Sequence, residues 1–261
     1  MLIAAAVCPH PPVLIPAAMG EAGAGPELAD LRAACAAAAQ GLVRVRPDLI
    51  VVAGGGPAGR AYPWPSAGSL RRYGVPWSTG PGRPVLPLSL TVGTWLLAGA
   101  LAASGTPGPA VTSATSVMLR SVAVTASPES CRRIGARLAG LAPRVAMLVM
   151  GDASAKKAIG VPGAPDPEAE EYDAGIAAAL AAADAAALAR LDPDRAAELR
   201  VTGRAPWQVL AGAAAAAEGQ AAAGQAAAGQ KDGLRGVLRH QSAPYDVTYL
   251  VASWAAGRIK G

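Results

Sequence analysis

Apolar positions along this chain fall into two rhythms. Leu2 to Val7, Asp48 to Ala53 and Val145 to Met150 are short runs in which apolar residues follow one another without alternation, the pattern of strands buried on both faces of a parallel sheet. Between the first two, Leu28, Leu31, Cys35 and Leu42 recur on one side of a helix from Pro26 to Val45, with proline near its start and Pro47 ending it. Strand, helix and strand predict a βαβ unit with a right-handed crossover. Thr91 to Ser104 predicts a buried helix, and Ser127-Pro128-Glu129 supplies a cap, a proline and an acidic first turn for a helix reaching Leu141. Asp166-Pro167-Glu168, with Glu170 and Glu171 behind, opens a helix that runs to the region of Ala183, and Asp192-Pro193-Asp194 starts a shorter one. Pro206 to the region of Ala217 predicts a helix packed through Trp207, Leu210 and its alanines. Leu234 to His240 and Tyr245 to Trp254 read as two strands joined by a turn at Ser242-Ala243-Pro244.

Other stretches interrupt these rhythms. Val85 to Leu90 reads as a strand carrying Pro87, hence an edge strand or a bulge, and Thr106 to Thr125 alternates turn residues with a β-branched stretch. Residues 60–84, rich in Gly, Pro, Ser, Arg and aromatics, predict a long irregular loop over the ligand end of the sheet, and loops of that length are usually functional or mobile. Gly54-Gly-Gly-Pro-Ala-Gly59 spells G-x-G-x-x-G. A dinucleotide site needs a helix directly behind those glycines and an acidic residue about 20 positions on. Arg60-Ala-Tyr-Pro-Trp-Pro65 breaks any helix and no Asp or Glu occurs from Leu49 to Pro128, so the glycines are read as a tight turn leaving a strand. The period-five sequence from Glu218 to Gln230 reads as a low-complexity insertion, frayed or disordered at the surface because each glycine weakens a helix by about 1 kcal/mol relative to alanine. The whole pattern predicts one α/β domain over residues 1–261, three layers with a mostly parallel central sheet flanked by helices.

Composition narrows this picture. With Phe absent and aromatics at 4%, the core has to be packed from Val, Leu and Ala. The net charge of +5 comes from scattered arginines with few aromatics between them, which argues against a nucleic-acid surface. Cys8, Cys35 and Cys131 are too few and too dispersed for a disulfide framework or a zinc site, which fits a reducing compartment. Leu2 to Cys8 lacks the basic flank and the length of a signal segment, and the apolar Thr94 to Ala103 is about half a membrane span. A cytoplasmic protein without membrane attachment is expected, and a homo-oligomer is compatible with it.

Pro9, Pro11 and Pro12 hold His10 on a stiff, extended support just past the end of the first strand, where α/β sheets place their ligands. Cys8-Pro9-His10-Pro11-Pro12 after an N-terminal strand resembles the opening of the class III extradiol ring-cleavage dioxygenase superfamily, the LigB-like and Memo-like proteins. Met150-Gly151-Asp152-Ala153-Ser154, Gly203-Arg204-Ala205-Pro206-Trp207 and Ala243-Pro244-Tyr245 resemble the same superfamily in the same order. The resemblance implies the LigB-like fold and a role for His10 as first metal ligand. Extradiol cleavage requires Fe(II) on two His and one carboxylate, with open positions for the catechol and dioxygen. The chain has two histidines in all. The resemblance places the second ligand His at Gly54 to Gly56, the acid/base His at Ala155, and a further ligand near Thr202 to Ala205, none of which supplies those groups.

The expectation is therefore a divergent member without ring cleavage, a pseudoenzyme with a degenerate metal site and no cofactor. It would bind a small molecule or a protein partner in the former active-site cleft around His10, Gly54, Gly55, Gly56, Asp152 and Ser154. The alternative is a metal-dependent oxygenase or hydrolase holding Fe(II) or Zn(II) on His10 with Cys8 and Asp152, joined by His240 from the terminal hairpin. Against that, Cys8 is more simply a small buried hydrophobe and His240 an exposed strand residue. A third reading is an inert subunit that assists a catalytic partner. Ser154 with Lys156 suggests a Ser-Lys nucleophile, whereas adjacent Lys156 and Lys157 read as a solvated pair or an anion contact. Tyr62, Trp64, Tyr73 and Trp77 either wall a pocket for a flat ligand, with Arg60, Arg71 and Arg72 for its carboxylate, or simply anchor their own loop.

Overall fold

Alternation inside the buried strands organises the molecule. The computed structural model describes residues 1–16, 26–105, 115–155, 166–225 and 233–257. Along the chain, β1 (Leu2–Cys8) leads through α1 (Pro26–Arg44) to β2 (Leu49–Gly56) and β3 (Arg60–Pro63). β4 (Gly68–Ser69) and β5 (Ser78–Thr79) form a small ladder of their own, followed by α2 (Leu88–Ala103), β6 (Ser116–Ala123), α3 (Pro128–Ala139) and β7 (Val145–Met150). The helices α4 (Pro167–Ala182), α5 (Ala185–Ala189), α6 (Pro193–Glu198) and α7 (Arg204–Gln225) precede β8 (Leu234–Ser242) and β9 (Tyr249–Ala256).

The seven-stranded sheet runs β3-β6-β2-β7-β1-β9-β8. Its four middle strands β6, β2, β7 and β1 are parallel neighbours. β3 closes one edge antiparallel to β6, and the β9-β8 hairpin closes the other antiparallel to β1. β1 and β2 are joined through α1 as the pattern predicts, with β7 lying between them. Successive side chains of a strand point to opposite faces, so each buried run feeds two cores. Leu2, Val7, Val51, Met147 and Val149 pack on one face with α3, α4, α5 and α7 residues such as Cys131, Ile176, Leu188 and Leu210. Ala4, Ala6, Cys8, Ile50, Val52 and Leu148 pack on the other with Leu31, Leu42, Leu90 and Leu97 of α1 and α2. The result is a single α/β domain with a mostly parallel central sheet between two helical layers, as the apolar pattern predicts.

Several local expectations change. Val85 to Leu90 is not a strand: Val85 and Leu86 both donate their N–H to Ala67 O, at 2.8 and 3.1 Å, and Pro87 caps α2 at φ −64° and ψ 163°. Proline has no N–H for a ladder but suits the entry to a helix. Residues 60–84 are partly ordered into β3, β4 and β5 rather than being a free loop. Gly54, Gly55 and Gly56 do not turn out of β2; they are its last three residues and pair with Ser121, Val122 and Ala123 of β6. Helix α7 continues through the glycine-bearing repeat to Gln225, since alanine is the best helix former and the first turns of α7 are anchored by the buried Ala205, Trp207, Val209 and Leu210. Residues 226–230 of the repeat, and Lys156 and Lys157, lie outside the described residues. α5 was not visible in the pattern; Asp184 starts it by accepting the Ala187 N–H at 2.8 Å. No helix among the described residues is long and apolar enough to cross a membrane.

Candidate functional site

Parallel strands bring the ends of β1 and β7 together. Cys8 pairs with Met150, and Gly151 donates its N–H to Cys8 O at 3.0 Å. Beyond β1 the prolines keep the chain extended as far as a single 3₁₀ turn at Pro12–Leu14. This geometry turns the backbone N–H of His10 onto Asp152, whose Oδ1 accepts it at 2.8 Å. His10 Nδ1 lies 3.5 Å from the same oxygen, with the two side chains only 11% and 14% exposed. That separation is an ion-pair contact when the imidazole is protonated; Nδ1 is buried and has no hydrogen-bond partner in the structure.

The segment behind Asp152 is tied on every side. Asp152 N donates to Thr202 Oγ1 at 3.2 Å, and Gly203 N donates to Asp152 O at 3.0 Å. Ala153 N donates to Thr248 O, and Thr248 N donates back to Ser154 O. Ser154 donates both its N–H, at 3.0 Å, and its hydroxyl, at 2.6 Å, to the two carboxylate oxygens of Asp173 on α4. Ser154 and Asp173 are both buried, so this charge-assisted pair is a strong anchor. The serine hydroxyl is thus committed to holding the loop that carries Asp152, which leaves the Ser-Lys nucleophile without support from the geometry of Ser154.

The three glycines of β2 close space rather than open it. A Cβ at Gly54 would stand 2.5 Å from Ser89 Oγ, and one at Gly56 would stand 3.2 Å from Ser121 Cβ and 3.4 Å from Pro87 Cγ. Ser89, in the first turn of α2, donates its hydroxyl to Gly55 O at 2.6 Å. Glycine there lets the start of α2 seat on the sheet. Gly55 also adjoins Thr202 O, so the end of β2 reaches the Asp152 support through Thr202.

Of the metal ligands weighed from the sequence, His10 and Asp152 come together, while Cys8 and His240 have other partners. Cys8 is fully buried in the α1-facing core, its Sγ 4.0 Å from Cys35 O, and the hydrogen bond between the two thiols, followed by burial, pushes the Cys35 thiol well up. His240 sits on β8 with Nε2 2.9 Å from Ser242 Oγ, across β9 from β1. Two strand spacings make roughly 9–10 Å. Among the described residues no three His, Cys, Asp or Glu side chains group closely enough to hold a metal. The residues present therefore do not match the facial Fe(II) set that the resemblance implies.

Tyr249 was missed in the sequence. It is buried on β9, and its phenol is pushed up, first by burial and then by the charges of Asp152 and Tyr245. Tyr245 itself is 60% exposed and adopts φ 58°, followed by Asp246 at φ 61°; two consecutive non-glycine residues in the left-handed region mark a turn constrained by its surroundings. The Ala243-Pro244-Tyr245 segment was the available signal. The four aromatic rings of residues 60–84 are partly buried against the α1 and α2 core, the anchoring role. Trp64 also lines a largely apolar cavity of about 460 Å³ with Pro65, Pro81, Ala98 and Ala102.

No family model matches the chain, and no curated protein matches it. Among solved structures, it is similar to the uncharacterized protein JW3007 from Escherichia coli K12, at 10% identity and a TM-score of 0.49, covering 97% of this chain and all of that one.

Proposed function

We propose that this protein binds a small polar ligand at the carboxyl ends of β1 and β7, with His10 and Asp152 as its recognition pair, and that it does not cleave aromatic rings. The observation carrying this reading is the buried His10 Nδ1, unpartnered and 3.5 Å from a carboxylate. A buried polar atom without a partner is costly, and a ligand or ordered water that bridges Nδ1 and Asp152 would relieve that cost. Support for a LigB-like, Memo-like ancestry comes from the likeness of the Cys8–Pro12 and Met150–Ser154 segments; the same comparison leaves the second ligand and acid/base positions filled by Gly54 to Gly56 and Ala155.

The test is metal content beside ligand binding. Purified protein is reconstituted anaerobically with Fe(II) and separately with Zn(II), and a small-molecule library is screened by protein-detected NMR, each with His10→Ala and Asp152→Asn. The proposal expects substoichiometric metal and hits whose shifts cluster around residues 8–10 and 151–154 and vanish in both variants. About one metal per chain, abolished in His10→Ala, would replace it with the metal-dependent enzyme and call for catechol and ester turnover assays.

A further inference from the structure

At the other end of β1 from His10, a cavity of about 220 Å³ opens between α1 and the β1–β9 part of the sheet. It exists because the facing positions are small: Ala4, Ala38, Gly41 and Ala255 bring no bulk to interdigitate. Among the described residues its lining contains two guanidinium groups, Arg44 and Arg239, and no carboxylate. Arg239 is partly buried, and its Nε donates to Ser253 Oγ at 2.6 Å. That bond engages one of the five N–H donors of the fork and fixes its plane. Arg44 is exposed, at the mouth of the cavity. It folds back along α1, so that Nη2 lies 3.9 Å from where a Cβ on Gly41 would stand.

Two guanidinium groups line one small cavity with no carboxylate among its described lining residues, so an anion entering it meets positive charge alone. We infer that this cavity is a binding site for a small aliphatic monocarboxylate. The carboxylate is taken by the Arg239 fork, the geometry that guanidinium groups match bidentately, with Arg44 as the second cation. The alkyl part lies against Ala4, Ala38 and Ala255. The volume is below the roughly 300–1,000 Å³ of pockets for drug-sized ligands, which limits the occupant to a few carbons. The site shares no residue with the His10–Asp152 pair and stands or falls without it.

Calorimetric titration of the full-length chain tests this, with butyrate as the probe and 1-butanol and inorganic phosphate as comparisons. Butyrate is expected to bind saturably, about tenfold or more weaker in Arg239→Gln, and not at all in Ala255→Leu, which fills the cavity. Binding in His10→Ala should be unchanged, and butanol should not bind. If Ala255→Leu does not give a wild-type circular dichroism spectrum, Arg44→Gln is read in its place and should also weaken butyrate. The inference is overturned by butyrate binding that ignores Arg239→Gln, by phosphate binding tighter than butyrate, or by no butyrate binding up to about 50 mM.

Discussion

A Cβ on Gly203 would sit 2.2 Å from Trp207 Cζ2, and one on Gly151 would sit 2.4 Å from Gly203 Cα. These two glycines let the fully buried indole of Trp207 close against the loop that carries Asp152. Overpacking of this kind costs about 1–3 kcal/mol, so Gly203→Ala should lower the urea midpoint accordingly while a surface change such as Gly99→Ala, which meets nothing within 4 Å, should not. Arg204 shows the opposite economy, a buried cation whose Nη1 and Nη2 each donate at 2.5 Å, to Ala126 O and Val124 O. Arg204→Met strands those carbonyls, at about 1–3 kcal/mol for each one left unpaired, and equilibrium denaturation should register a loss of at least the lower figure. At this scale His10 was legible from its prolines and Asp152 from its place after a buried strand. Asp173, Tyr249 and the role of Gly54 were not, because each depends on a partner distant in sequence: Ser154, Asp152 and Ser89 respectively.

Helix ends were legible where the capping residue stands directly before a proline. Ser127 Oγ accepts Ser130 N–H at 3.2 Å, and Asp192 Oδ1 accepts Arg195 N–H at 2.7 Å. Replacing either residue by Ala should cost about 1 kcal/mol, measured as a shift in the denaturation midpoint with an unchanged m-value. The end of α4 is different. Ala183 caps it at φ 54°, a conformation that disfavours a Cβ by about 1–2 kcal/mol and that glycine adopts freely. Ala183→Gly is therefore expected to stabilise the protein slightly, by up to about 1 kcal/mol after the entropy cost of glycine, and a fall in thermal midpoint would contradict that account. Val85 to Leu90 misread as a strand for a related reason: β-propensity and Pro87 were weighed locally, while the carbonyl of Ala67 and the seat of α2 on β2 decided the outcome.

Across the whole molecule, weak acids raised by burial shape the response to alkali, Cys35 and Tyr249 together with Cys131 and Tyr172. The Cys35 thiol is raised above its ordinary 9.0 by its hydrogen bond with Cys8 and by burial, and the Tyr249 phenol is raised above its ordinary 10.0 by burial and by Asp152. Both are therefore protonated in the folded protein at pH values where the unfolded chain releases its protons. Their contribution to stability is complete below pH 9.0 and is lost as pH climbs past the unfolded values toward the raised folded ones. Urea denaturation at a series of pH values should show a decline beginning near 9.0, and Tyr249→Phe should flatten its part above 10.0. A decline that is the same in Tyr249→Phe would remove the phenol from this account.

Composition and periodicity were sufficient for the layers: strands buried on both faces, helices between them, and caps where Ser or Asp precedes Pro, because these properties arise from neighbours within one or two turns of the chain. Composition alone also shows a chain with two histidines, His10 and His240. Strand order, the hairpin that closes the sheet beside β1, and the Ser154–Asp173 anchor were decided only by tertiary structure. The same holds for the turn of Cys8 Sγ toward Cys35 O, for the place of His240 across β9 from β1, and for the cavity bearing Arg44 and Arg239. Each of these depends on which face of a strand meets which helix, and residues far apart in sequence carry no local record of that meeting.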